Sequence, residues 1–313
     1  MQPLVFFGTP EFAVPTLQAL ASTEFRPALV VSQPSRPSGR GKRLTEPPVV
    51  LAARELGIPF EQVEKVKDPA FLDRLRELSP EIGVVVAFGQ IFPRALLELP
   101  RRGCVNLHAS LLPRWRGAAP IQAAIRAGDA ETGVTTMVME TGLDSGPVLL
   151  ERRTPIGGSE TAEELSTRLA VLGAGLVVET LRALERDVLV PRPQDPADVT
   201  LAPKVTREDA RTGWDRPADE IERAVRAHRP WPGVELPFGA ESVKVLAARV
   251  ADGTGEFTTT PAIVTAVRSD ALEVSTGGGS RLIVIRAQRP GRGPVSGGEL
   301  ARALGLVTGD RLA

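Results

Sequence analysis

The chain has 313 residues, 42% of them hydrophobic, and its 38 Lys and Arg are balanced by 38 Asp and Glu. That length suits one large or two modest domains, and the apolar content argues against disorder. The even charge leaves no global basic field to draw a nucleic acid, so such a partner must be met by local patches. The single cysteine, Cys104, excludes an internal disulfide and a cysteine metal cluster and fits a reducing compartment.

Met1 leads almost directly into an apolar run, with no signal peptide or membrane-length stretch, so a soluble cytoplasmic protein is expected. The runs at 4–7, 28–32, 82–87 and 103–107 are short, apolar and end at Gly, Pro or polar residues, the pattern of buried parallel strands. Between them Pro48 opens one helix, and Asp68 caps another with Pro69 at its first position. Alternating strands and helices imply a doubly wound α/β sheet. Residues 134–139 read as a further strand, with 148–153 returning antiparallel after a turn at 142–146. Thr161 and Glu164 form a capping box at the start of a helix over 161–186. The domain 1–189 then gives way to Val190-Pro-Arg-Pro-Gln-Asp-Pro196, read as a stiff linker over 190–205. In 206–313, a helix at 217–228 precedes strands at 242–250, 262–267, 271–275 and 281–285, a spacing that suggests a small β-barrel.

Three side chains stand out for their chemistry. Asn106 and His108 sit where the 103–107 strand runs out into a Gly- and Pro-rich loop, and Asp144 follows in Glu140-Thr-Gly-Leu-Asp-Ser-Gly146. Singly they say little: a lone histidine is more often structural, and Asn and Asp beside Gly are turn formers. Their context changes this, because open α/β sheets bind ligands outside the carboxyl ends of strands. An imidazole can carry a proton near neutrality, a carboxylate can hold its tautomer, and an amide can donate to a developing oxyanion. That set suits moving an acyl unit onto an amine. The first βα turn, Gly8-Thr-Pro10, lacks the glycines of a dinucleotide fingerprint, so NAD is not expected. The segment Gln33-Pro-Ser-Arg-Pro-Ser-Gly-Arg-Gly-Lys-Arg43 is basic throughout, with Arg36, Arg40, Lys42 and Arg43 among Gly, Ser and Pro, and is expected to be mobile.

Asn106-Leu-His-Ala-Ser-Leu-Leu-Pro-Arg-Trp-Arg-Gly-Ala-Ala-Pro120 together with Asp144 resembles the formyltransferases that use 10-formyltetrahydrofolate. The match extends, over nearly the full length, to members acting on initiator methionyl-tRNA. It includes Phe6-Phe-Gly-Thr-Pro-Glu-Phe-Ala-Val-Pro15, the basic loop, Ala210-Arg-Thr-Gly-Trp-Asp-Arg-Pro217 and Arg229-Pro-Trp-Pro-Gly233. The resemblance implies a Rossmann-like catalytic domain followed by an open, oligonucleotide-binding-type barrel that meets tRNA. It implies catalysis by Asn106, His108 and Asp144, and a folate site lined by Phe88, Gly89, Ile91, Ser110, Leu111, Leu112 and Pro113. Phe92 departs from the leucine usual in that loop. Arg36, Arg40, Lys42 and Arg43 are the implied tRNA contacts.

In the expected reaction Asn106 and protonated His108 stabilise the oxyanion, while Asp144 keeps His108 charged and takes the amine proton. No metal is required, and a monomer that stays off membranes is expected. The alternative acceptor is a sugar or another small amine. Trp214 and Trp231 read as anchors of the second domain. Arg281, Arg286, Arg289, Arg292, Arg302 and Arg311 outnumber Glu299 and Asp310 near the C-terminus, which suggests a modest phosphate-tracking face.

Overall fold

The computed structural model describes residues 1–38, 43–252 and 260–313, without the side chains of Ser38 and Arg43. The chain divides into two compact units, the first made of 1–120, 131–155 and 165–202, the second of 121–130, 156–164 and 203–313.

The first unit contains strands β1 (Leu4–Gly8), β2 (Leu29–Ser32), β3 (Arg36–Ser38), β4 (Arg43–Thr45), β5 (Phe60–Gln62), β6 (Ile82–Val86), β7 (Cys104–His108), β8 (Arg116–Gly117), β9 (Glu131–Val138), β10 (Val148–Pro155) and β11 (Leu201–Ala202). Seven of these form one sheet in the order β10-β9-β7-β6-β1-β2-β5. The five from β5 to β7 are parallel, while β9 and β10 add antiparallel at the edge. Strands β1, β6 and β7 are buried at every residue, which is why they read as unbroken apolar runs and not as alternating ones. Along the sheet the parallel strands stand in the sequence order third, second, first, fourth, fifth. That is the doubly wound order, and its reversal between β1 and β6 opens a crevice at the strands' carboxyl ends.

Local signals fix the helices α1 (Val14–Ala21), α2 (Pro48–Glu55), α3 (Pro69–Leu78), α4 (Arg94–Leu97), α5 (Pro120–Ala127) and α6 (Ala162–Glu185). The Asp68 carboxylate accepts from Ala70 N at 2.9 Å, with Pro69 at the first helical position of α3. At the start of α6, Glu164 accepts from Thr161 N at 2.9 Å, and the Thr161 hydroxyl accepts from Glu164 N at 3.3 Å. In α6 a Cβ at Gly173 would stand 2.6 Å from Leu107 of β7, so glycine is what lets the helix lie close on that strand. Phe7, Phe88 and Phe92 meet edge to face within a core cluster that also holds Leu75, Val85 and Leu96.

Two stretches differ from their sequence reading. The basic segment expected as a loop pairs β3 with β4 as an antiparallel hairpin, in register Arg36 to Thr45. Arg40 and Lys42, and the mobility expected of them, lie outside the described residues. The Pro-rich stretch read as a linker is built into the first unit as far as Ala202. There β11 pairs parallel with β8, and Arg192 bridges Val148.

The second unit carries α7 (Ala218–Ala227), β12 (Val234–Phe238), β13 (Glu241–Val250), β14 (Val264–Val267), β15 (Leu272–Ser275), β16 (Arg281–Gln288), β17 (Pro294–Ser296) and α8 (Gly297–Leu304). Its strands make a separate antiparallel sheet, β12-β13-β16-β15-β14 with β17 on β16. Trp214 is 2% exposed, lies edge to face on Phe238 and donates from Nε1 to Pro237 O at 2.7 Å, so it anchors this core. Trp231 does not: it is 51% exposed, between two prolines ahead of β12.

An exposed pair shows how the surface charges behave. A hydrogen bond from Arg182 holds the Glu24 carboxyl down at about 2, from an ordinary 4.5. A depressed carboxylate adds stability above its unfolded pKa and loses it as pH falls through the folded value, here from about 4.5 to about 2. Both side chains are half exposed, so the gain is small. Arg182→Ala is expected to return the Glu24 titration, followed by NMR, towards 4.5 with little change in thermal midpoint. A Glu24 midpoint that stays near 2 would assign the depression to the backbone instead.

Candidate active site

Period-two geometry puts Asn106 and His108 on one face of β7, with Leu107 turned to the opposite face against α6. The two are 9% and 6% exposed, about 7 Å apart along the strand. Among the described residues the Asn106 carboxamide has no hydrogen-bond partner, so its donors are available to a ligand. His108 does have one: its Nε2 lies 2.9 Å from Trp115 O, which can only accept, so that nitrogen carries the hydrogen. Its Nδ1 lies 3.8 Å from Asp144 Oδ2. Both ring nitrogens therefore face acceptor oxygens, one within hydrogen-bond distance.

The Asp144 carboxylate is held by the backbone: Gly117 N donates to its Oδ2 at 2.8 Å. Asp144 itself has φ 46°, Trp115 has φ 61°, and Ala87, just past β6, has φ 47°. Left-handed backbone at non-glycine residues costs energy and gathers where a structure holds functional groups in place. Here three such residues cluster at the ends of neighbouring strands and their loops. Buried Thr135 on β9 pins the segment after β7, donating to Ser110 O at 2.7 Å and accepting from Leu112 N at 3.2 Å. The Ser110 hydroxyl closes the turn on Arg114 O at 2.6 Å.

The other expected site residues divide between surface and core. Ile91 is 88% exposed and Leu143, next to Asp144, is 64% exposed, two apolar side chains open to a partner. Phe88 and Leu112 are instead buried, Phe88 among the phenylalanines and Leu112 against Met137 and Val148. The Phe88 carbonyl still faces the crevice, accepting from Gln33 Nε2 at 2.7 Å and Thr9 Oγ1 at 3.2 Å. At Gly89, φ 82°, a Cβ would meet that same Gln33 amide at 2.7 Å. Leu111 and Pro113 are half-buried in the loop. Arg36 is exposed and donates to Gln33 Oε1 at 2.8 Å, which ties the basic hairpin to the crevice.

The sequence reading missed Thr135, Gln33 and Gln194. Gln194 donates from Nε2 to Asp144 O at 2.8 Å and Gly146 O at 2.7 Å. No local pattern marks it, because its partners lie some fifty residues earlier. Surface hollows of about 690, 530 and 420 Å³ occur elsewhere, none lined by Asn106, His108 or Asp144. Cys104 offers no nucleophile, since burial pushes its thiol up to about 12. The other histidine, His228, lies in the second unit, where burial pushes its pKa down. Among the described residues no group of three or more His, Cys, Asp or Glu could hold a metal, and no helix is long and apolar enough to cross a membrane.

Residues 1–181 match the formyl transferase family, and residues 204–305 match the formyl transferase C-terminal domain. The chain belongs to the formyl transferase family. The methionyl-tRNA formyltransferase of Stutzerimonas stutzeri (strain A1501) is 46% identical, the match covering 98% of this chain and 99% of that protein. That of Halorhodospira halophila (strain DSM 244 / SL1) is also 46% identical, over 98% of each. Among solved structures, the N-formyltransferase from Helicobacter canadensis, in complex with folinic acid and dTDP-3-aminofucose, superposes with a TM-score of 0.68. It covers 92% of this formyl transferase and 100% of its own chain at 17% identity, a likeness of fold.

Proposed function

We propose that this formyl transferase moves the formyl group of 10-formyltetrahydrofolate onto the free amine of initiator methionyl-tRNA, giving N-formylmethionyl-tRNA for translation initiation. The observation that carries the chemistry is the free Asn106 amide beside a His108 imidazole whose two nitrogens face Trp115 O and Asp144. The acceptor rests on full-length relatives of that name at 46% identity.

The amine nitrogen attacks the formyl carbon, and the carbonyl electron pair moves onto oxygen. Asn106 donates to that oxyanion, and the His108 imidazolium offsets its charge. Asp144, whose charge faces the imidazolium until then, takes the proton that the attacking nitrogen releases, directly or through water. The oxyanion then collapses, the bond from carbon to folate N10 breaks, and N10 leaves with the proton that Asp144 had taken, returned directly or through water. None of these steps needs a metal. Exposed Ile91, with Gly89 and the 110–113 turn, offers apolar surface and backbone groups to the pterin. Phe88 serves from beneath by fixing the loop.

We read Arg36, Arg40, Lys42 and Arg43, on or between the strands of the basic hairpin, as contacts to the tRNA acceptor stem. The second unit is read as an open oligonucleotide-binding-type barrel, supported by register shifts at Val245 to Ala248 that would bend β13. This assigns catalysis to 1–189 and tRNA binding to 206–313, in a cytoplasmic monomer.

The deciding assay supplies 10-formyltetrahydrofolate with methionyl-tRNA, free methionine, an amino sugar nucleotide or buffer. Formyl-methionine on tRNA alone is expected; formylation of the sugar amine in preference would overturn the acceptor. Replacing Arg40 and Lys42 together with Ala is expected to raise the KM for tRNA and flatten its salt dependence, while the KM for folate holds. An unchanged tRNA KM beside a damaged folate KM would assign the hairpin to the folate site.

A further inference from the structure

The stretch 190–202 is more than a connector. Its Gln194 is half-buried, and its carboxamide has four partners, the weakest Met137 Sδ at 4.0 Å. Nε2 donates to Asp144 O at 2.8 Å and Gly146 O at 2.7 Å, while Oε1 accepts from Arg116 Nε at 3.0 Å. This orientation is forced, because a flipped amide would set oxygen against two carbonyls and NH₂ against a guanidinium. The turn it grips contains Asp144 in a left-handed conformation that a non-glycine residue rarely keeps unaided.

The same stretch reaches the other side of the site. Thr200 Oγ1 accepts from Trp115 N at 2.8 Å, and Thr200 O accepts from Arg116 N at 2.9 Å. β11 pairs with β8, whose Gly117 N donates to the Asp144 carboxylate. Trp115 O in turn receives the His108 Nε2 hydrogen. Each group that orients His108 or Asp144 is therefore fastened to residues 194–202.

We propose that Gln194 is a positioning residue for formyl transfer, fixing the 142–146 turn so that the Asp144 carboxylate faces His108. This rests on the catalytic reading of Asn106, His108 and Asp144 given above. In this role Gln194 acts through the turn, so its loss is expected to act on turnover and not on affinity.

The test uses the full-length enzyme with Gln194→Met, which keeps length and removes both donors. The kcat is expected to fall about 10- to 100-fold, with the KM for folate and for tRNA each within about twofold. Amide exchange at Gly117, whose hydrogen bond ends on Asp144, should quicken. Adding Gln194→Met to Asp144→Asn should cost nothing further. Gln194→Glu retains the acceptor for Arg116 and loses the donors, so it carries the same expectations should the Met variant fold poorly.

Normal kcat in Gln194→Met beside a crippled Asp144→Asn overturns the positioning role alone, as does unaltered Gly117 exchange. Normal turnover in Asp144→Asn overturns the catalytic reading itself, and with it any role for Gln194 in the chemistry.

Discussion

His108→Ala is expected to lower turnover by about two to four orders of magnitude while the protein stays folded. Among the described residues the imidazole makes one hydrogen bond, to Trp115 O, so its removal costs little structure beside what it costs the reaction. Asn106→Ala falls in the same range by removing an amide that has no partner among the described residues. Asp144→Asn is the sharper probe. An asparagine oxygen still accepts from Gly117 N, so the turn survives while the charge facing His108 is gone. A loss of about a hundredfold or more would assign the effect to charge. Cys104→Ala supplies the control on the same strand, and its turnover is expected to hold, since a thiol pushed up to about 12 supplies no thiolate near neutrality. Steady-state formylation of methionyl-tRNA measures all four, with circular dichroism to check folding. Near-normal turnover in His108→Ala would remove the imidazole from the mechanism.

The residues of this site could be named from sequence because their signals are local. Apolar runs mark β6 and β7, and the polar residues that end β7 face the crevice by strand geometry alone. The contacts that orient them could not be named. Trp115 O, Gly117 N and Gln194 reach His108 and Asp144 from elsewhere in the chain, and no spacing rule encodes such distances. The second unit shows the same division. Strands β13 to β16 follow their β-branched runs, whereas β12 hides behind Pro237, which an edge strand tolerates. Helix α8 begins Gly297-Gly298, poor helix formers that mask a capping box between Ser296 and Glu299. That box was readable in the sequence, and tertiary packing of Leu300 and Ala301 outweighs the glycines.

Glu273→Ala is expected to destabilise the second unit strongly. Glu273 stands on β15 with 3% exposure, a charge that survives burial only because it is paired. Its carboxylate accepts from Thr265 Oγ1 at 3.1 Å and from Arg268 Nη2 at 3.3 Å, and closely from Arg281 on the neighbouring strand β16. The Arg281 side chain is 12% exposed, so truncating Glu273 takes a close carboxylate away from a largely buried cation. Breaking a buried pair from one side costs about 3–5 kcal/mol, against about 0–1 kcal/mol for an exposed pair. The lower end applies, since Arg281 Nη2 keeps Asp252 O at 3.1 Å and Arg268 is half exposed. Glu273→Gln retains the hydrogen-bond geometry and loses the charge, so it should fall between Ala and the unsubstituted chain. Amide exchange on β14 to β16 is the measurement of choice, because a two-unit chain need not unfold in one step. Protection should drop across those strands and hold in β6 and β7. Unchanged protection around Glu273 in the Ala variant would mean that water replaces the carboxylate at no cost and that the pair adds nothing to the sheet.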